Sequence, residues 1–299
     1  MIDDPSLRWA DDAAPPAEGA TLVVMLTGWI DAAGAASATI TAIGEETRAE
    51  VVAVFDHDTY IDFRARRPLM QVREGLNSVL ESDHITLSAG TDQAGHPLLL
   101  LRGPEPDMAW NRFCSIIGEV ADTLRVSKMI GLGAYPFTTP HTRPSRLSIT
   151  SPSVDVLAAV PLLRSSVDVP AGAVSMLEHT LHGLGIPAMT LWAQVPHYVA
   201  NGSYPPASVA LVDALRQVAD IIVDATDLRQ AAIDARSRLD ELVSANPEHL
   251  RLLRQLEQLH DQTADTAESG IDAIGGPSLE WASGDEIADE LERFLRDQH

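Results

Sequence analysis

Residues 133–146, GAYPFTTPHTRPSR, and 194–208, QVPHYVANGSYPPAS, gather the side chains in this chain best suited to chemistry. His141 and Arg143 in the first loop set a group that titrates near neutrality beside a bidentate anion binder. His197, Tyr198 and Tyr204 in the second offer a proton-transfer group and two phenols. A third stretch, FDHDTYIDFRARRP (55–68), brings Arg64, Arg66 and Arg67 near Asp56, Asp58 and Asp62. Such arginines either clamp a phosphate or carboxylate or are neutralised by the aspartates as an ion-pair network, and the segment supports both readings equally. With the histidine loops they would form a phosphorylase- or hydrolase-like site for a nucleoside or another small anion.

Each group also has a structural role available. In TGWIDAAG, Asp31 stands before a helix of small residues, and a free helix N-terminus there would bind an anion. The Asp31 carboxylate can accept those N–H groups itself, and capping is the expected role. Gly28 and Gly34 lack the spacing of a dinucleotide fingerprint or a P-loop. Prolines around His141, Arg143 and Tyr204 fix the backbone, as in a preorganised contact surface. No sequence spacing supplies His197 with a carboxylate. HExxH and G-x-S-x-G are both missing, and the nearest histidine pair, His179 and His182, has no matching carboxylates. No catalytic residue, metal site or cofactor is assigned.

The elements that must position these loops alternate. Apolar runs at 21–29, 49–56, 84–90, 97–103, 129–135 and 186–195 read as strands. Helices are expected over 31–46, 107–126, 174–184 and 206–222. In the second of these, Phe113, Ile117, Val120 and Leu124 share one face, and Cys114 beside them is expected to be a buried, inert thiol. The alternation predicts an α/β fold, a three-layer, mostly parallel sheet covered on both faces. A core domain over 20–225 follows a lead-in at 1–19.

Beyond 225 the pattern becomes helical. Leu228, Ala232, Ala235, Leu239 and Leu242 form one seam, and Leu252, Leu253, Leu256 and Leu259 line a second helix behind SANPEH. The expected unit is a helical hairpin. A last helix striped by Ile287, Leu291, Phe294 and Leu295 completes an extension over 226–299. Residues 210–299 hold 20 acidic and 8 basic side chains, so this is a solvated, acidic appendage. Deleting 227–268 is expected to leave the core folded.

The formal charge is −22, and only Lys128 among the 21 basic residues is a lysine. A field of that sign repels phosphate backbones and anionic bilayers, so no nucleic acid and no membrane are expected as partners. No apolar run approaches the ~20 residues of a membrane span. The acidic N-terminus lacks the pattern of a signal peptide, and a cytoplasmic location is expected. One cysteine excludes an internal disulfide.

Taken in order, GWIDAAG, FDHDTYIDFRARRPLM, PHTRPSR, VPHYVANGSYPPASVALVDAL and SGDEIADELERFLRDQ resemble the proteasome assembly chaperone 2 family, in its actinobacterial form, over roughly 20–299. The resemblance implies a core like that of purine nucleoside phosphorylases, a C-terminal helical extension and homo-oligomeric assembly, a trimer being one candidate. It implies an interaction protein rather than an enzyme, with itself and proteasome subunits as partners. Asp31, Arg64, Arg66, Arg67, Pro68, His141, Arg143, His197, Tyr198 and Tyr204 fall on the family's patterned positions, which carry no assigned chemistry. Several chaperones of this kind dock on proteasome rings through a tail ending hydrophobic–tyrosine–any residue. This sequence reads FLRDQH, with Gln298 penultimate, so docking by that device is not implied.

Loop 194–208 is expected to pack near PHTRP and RARRP. Tyr198 and Tyr204 would be buried, and an arginine would pair with an aspartate of 56–62.

Overall fold

A computed structural model describes residues 2, 4–10 and 17–268. Residues 11–16 of the expected lead-in, the last helix and Gln298 lie outside them. The strands are β1 (Leu7–Trp9), β2 (Thr21–Thr27), β3 (Glu50–Phe55), β4 (Leu69–Arg73), β5 (Leu76–Glu81), β6 (Thr86–Thr91), β7 (Pro97–Pro104), β8 (Lys128–Phe137), β9 (Leu147–Thr150) and β10 (Ala188–Pro196). The helices are α1 (Ala35–Glu46), α2 (His57–Tyr60), α3 (Trp110–Thr123), α4 (Val154–Ala159), α5 (Ala173–Gly183), α6 (Pro205–Ala219), α7 (Thr226–Ser244) and α8 (Pro247–Glu268).

Eight strands form one sheet in the order β1-β3-β6-β7-β2-β8-β10-β9. The parallel arrangement is confined to its centre, β7-β2-β8-β10, while β1, β3, β6 and β9 pair antiparallel on the flanks. The short TDQAGH turn between β6 and β7 makes that pair antiparallel. Antiparallel neighbours need only a tight turn, whereas a parallel pair needs a crossover. Leu7–Trp9, expected within the lead-in, is instead the sheet's edge strand, and Leu7 is buried in the core.

Strand alternation divides the core into two layers. Leu22, Val24 and Leu26 of β2 face α3 and α5, while Val23 and Met25 face α1 and α6. A run buried on both faces is what places β2 centrally. Cys114 is buried among the α3 contacts, and burial pushes its thiol up to about 11. The second layer continues into the hairpin of α7 and α8, since Ala225 and Leu256 belong to the same cluster as Leu211 and Leu215. Asn246 caps α8 through Oδ1, which accepts the Glu248 N–H at 2.8 Å. Among the described residues no helix is long and apolar enough to cross a membrane.

The Glu178 carboxyl is buried and accepts the Thr150 hydroxyl at 3.2 Å. Trp192 lies flat over Gly133, where an added Cβ would sit 2.3 Å from an indole carbon. The ring is tethered by its Nε1–H, which donates to Thr150 Oγ1 at 3.0 Å. Gly133→Ala is therefore expected to cost about 1–3 kcal/mol through overpacking. In a Trp192→Ala background the same substitution should cost almost nothing. Thermal denaturation of the four proteins in this cycle measures the coupling, and equal costs in both backgrounds would refute the clash.

Strands β4 and β5 form a separate two-stranded arm. Glu74 and Gly75 at its tip have φ of 51° and 83°, the left-handed conformations that a tight hairpin turn requires. Leu69, Met70, Val72, Leu76, Val79 and Leu80 are all exposed on it, and Leu80 is 68% exposed.

Candidate functional site

Loop 138–146 leaves the C-terminal end of β8, and loop 197–204 leaves the adjacent, parallel end of β10. Their register therefore brings His141 and Tyr198 together although 57 residues separate them. After one turn at His197–Val199, Tyr204 precedes Pro205, which opens α6 with no N–H to satisfy. Tyr198 and Tyr204 are both buried, as expected.

The Tyr198 hydroxyl lies 2.7 Å from His141 Nδ1 and accepts the His141 backbone N–H at 2.8 Å. On the other side of the ring, His141 Nε2 is 3.2 Å from Asp240 Oδ1 on α7. The carboxylate needs a donor, so Nε2 carries the proton, Nδ1 accepts, and the Tyr198 O–H donates to it. Burial holds the His141 imidazole below its ordinary pKa against the pull of Asp240. Burial also raises the Tyr198 phenol far above its ordinary range, and it pushes Tyr204 up to about 12. Burial thus favours the neutral phenol at both positions.

Arg143 continues the contact onto α8. Its Nε and Nη2 donate to the two Asp261 oxygens at 2.9 and 2.8 Å, and Nη1 donates to Glu257 Oε1 at 3.2 Å. The guanidinium holds the Asp261 carboxyl down at about 2. The Thr142 hydroxyl donates to the same Glu257 oxygen at 2.6 Å. Arg236 on α7 donates to the Thr142 carbonyl at 3.1 Å, and Arg146 to the His260 carbonyl at 2.7 Å. Loop 140–146 is thus a clamp that grips both helices of the hairpin. The residual space beneath α8, lined by Tyr198, Val243, His249, Leu252, Leu253 and Leu256, is about 10 Å³. It has room for one water and no substrate. The hairpin expected to be a pendent appendage is tied to the core.

The remaining candidates do not join this cluster. The ion-pair partner of RARRP lies outside loop 194–208, on the segment between β7 and α3. Arg66 Nε pairs with Asp107 at 2.9 Å, not with an aspartate of 56–62. Its guanidinium lies against Gly28, where an added Cβ would sit 2.9 Å away and φ is 118°. Two of the three expected aspartates bond nearby N–H groups: Asp56 accepts that of Thr59 at 2.9 Å, and Asp62 that of Arg64 at 2.8 Å. Arg64 and Arg67 are exposed beside the arm. Asp31 reaches past a short turn to the start of α1, accepting the N–H groups of Ala36 and Ser37 at 2.7 and 3.0 Å. The anion position there is filled by the chain's own carboxylate. His197 meets the Tyr198 ring edge-on, centroids 5.4 Å apart. Among the described residues no group of three His, Cys, Asp or Glu side chains could hold a metal ion.

Asp107, Asp240, Glu257 and Asp261 escaped the sequence reading. Only the last two carried a local signal, a four-residue spacing that puts both carboxylates on one face of a helix.

The sequence model of the PAC2 family matches residues 25–243, from β2 to the end of α7. A Corynebacterium glutamicum protein of unknown function is 28% identical, covering 88% of this chain and 99% of its own, with a TM-score of 0.81. A Streptomyces avermitilis PAC2 family protein is 31% identical over 78% of this chain and 98% of its own, with a TM-score of 0.70. A Mycobacterium tuberculosis proteasome-assembly chaperone homologue is 29% identical over 78% and 99%, with a TM-score of 0.72. No curated protein matches the chain. A family match that runs from within β2 through both loops and the first helix of the clamped hairpin leads to one conclusion: this chain belongs to the PAC2 family.

Proposed function

We propose that the chain is a homo-oligomeric, non-catalytic interaction protein of the assembly-chaperone type, working in the cytoplasm on proteasome subunits. The observation that carries this reading is the arm. Six large apolar side chains stand exposed on two short strands, and a two-stranded hairpin is marginal in water unless something covers it. Another copy of the chain supplies a cover by symmetric association. The likeness to a proteasome-assembly chaperone homologue supports the choice of partner. The clamp supports the lack of catalysis, because His141, Tyr198 and Arg143 are engaged within the chain.

Sedimentation velocity tests the self-association. The wild type should sediment as an oligomer, and Leu76→Asp with Leu80→Asp should shift it to a monomer without loss of secondary structure. A wild-type monomer at micromolar concentration would overturn the reading. Purified proteasome α- and β-subunits, mixed with the oligomer, should assemble faster than alone. A panel of nucleosides with phosphate should show background turnover, and turnover abolished by His141→Ala would instead establish an enzyme.

A further inference from the structure

The root of the arm carries a second device, whose regulatory role rests on the self-association reading above. The chain enters the arm through Phe63 and returns to β6 through Asp83 and His84. His57 on α2 touches both passages. Its ring meets Phe63 edge-on, with centroids 5.9 Å apart at 79°, and stacks on His84, with centroids 4.2 Å apart at 27°. His57 Nε2 is buried and has no hydrogen-bond partner among the described residues. One imidazole therefore fastens both ends of the arm to the sheet layer.

We propose that the His57–His84 stack is a pH-sensitive clasp: protonation of both rings drives them apart, frees the root of the arm and weakens self-association. Neutral rings stack favourably, whereas two positive charges at this distance repel. Charges of both signs surround the pair. Arg8 on β1 adds positive charge near His84, while the neighbouring Asp83 opposes it. Asp56, which caps α2 by accepting the Thr59 N–H and hydroxyl, and Asp58 are the carboxylates adjacent to His57 in sequence. Partial burial, then His57, then Arg8 lower the His84 pKa from 6.5 against the pull of Asp83. A histidine whose folded pKa is depressed contributes fully above its free value and loses that contribution as pH falls below it. The clasp is thus closed above 6.5 and loosens below.

Hydrogen exchange of 69–81 reads the clasp directly, and sedimentation velocity on the same full-length samples reads its consequence. Between about pH 7.5 and about pH 5.5, exchange normalised for its intrinsic rate should rise about fivefold, the factor given by two unit charges at this spacing in water. The oligomer should dissociate in parallel. His84→Phe keeps a stacked ring that cannot charge, and both responses should vanish in it. Exchange that is unchanged by pH, or that rises equally in His84→Phe, overturns the clasp. Exchange that rises while association holds overturns its regulatory role. A wild type that is monomeric at the higher pH sinks the self-association reading, and the regulation with it, while the exchange still decides the clasp.

Discussion

Tyr198→Ala is expected to lower the free energy of unfolding by about 3–5 kcal/mol, among the largest effects of any single truncation in the chain. The phenol is 3% exposed and belongs to the core layer under the hairpin, so its removal leaves a cavity between that layer and α8. It also strips the partner from a buried imidazole and from the backbone N–H of His141. Tyr198→Phe isolates the second part, and unmet buried polar groups should cost it about 1–3 kcal/mol. Denaturant unfolding gives both values. Hydrogen exchange in 247–262 should rise in the alanine variant, because that truncation loosens the clamp's seat. A loss below about 1 kcal/mol in Tyr198→Ala would mean that the clamp contributes nothing to holding α8.

Glu178 governs the second large effect, which depends on pH. Burial raises its carboxyl from 4.5 to about 7, so the folded state holds the proton where the unfolded chain releases it. A raised folded pKa gives stability that is complete below about 4.5 and lost as pH rises through about 7. The full loss is on the order of 3 kcal/mol. His141, His84 and His260 are shifted down and act with the opposite sign as pH falls. The wild type must therefore be compared with Glu178→Gln, which keeps the size and hydrogen-bonding capacity of the side chain without its titration. Glu178→Gln should gain on the wild type steadily between about pH 5 and about pH 8. Parallel stability profiles would show that Glu178 does not ionise in this window.

The sequence by itself determined what local periodicity and short-range chemistry encode. The long apolar runs became strands, the face of Phe113, Ile117 and Val120 became the buried side of α3, and Asn246–Pro247 opened α8. Asp31 could be placed near the start of α1, although its carboxylate reaches the helix across an intervening turn rather than from the cap position itself. Loops 138–146 and 194–208 were legible as a pair of rigid, polar segments, and their meeting follows from adjacent parallel strands. Tertiary structure alone decided what they meet. Asp240 lies 99 residues from His141, and Asp261 lies 118 from Arg143, so no spacing rule could join them. The arginine segment shows the reverse case. Asp56 and Asp62 are near in sequence yet unavailable, because short carboxylate side chains satisfy nearby N–H groups before a long arginine reaches them. The arm's apolar residues could equally have lined a core. Whether an apolar side chain is covered depends on where the rest of the chain goes, and here β4 and β5 stand outside the eight-stranded sheet. The arm is left with six exposed apolar side chains, while the α7–α8 hairpin covers His141 and Tyr198 of the loops.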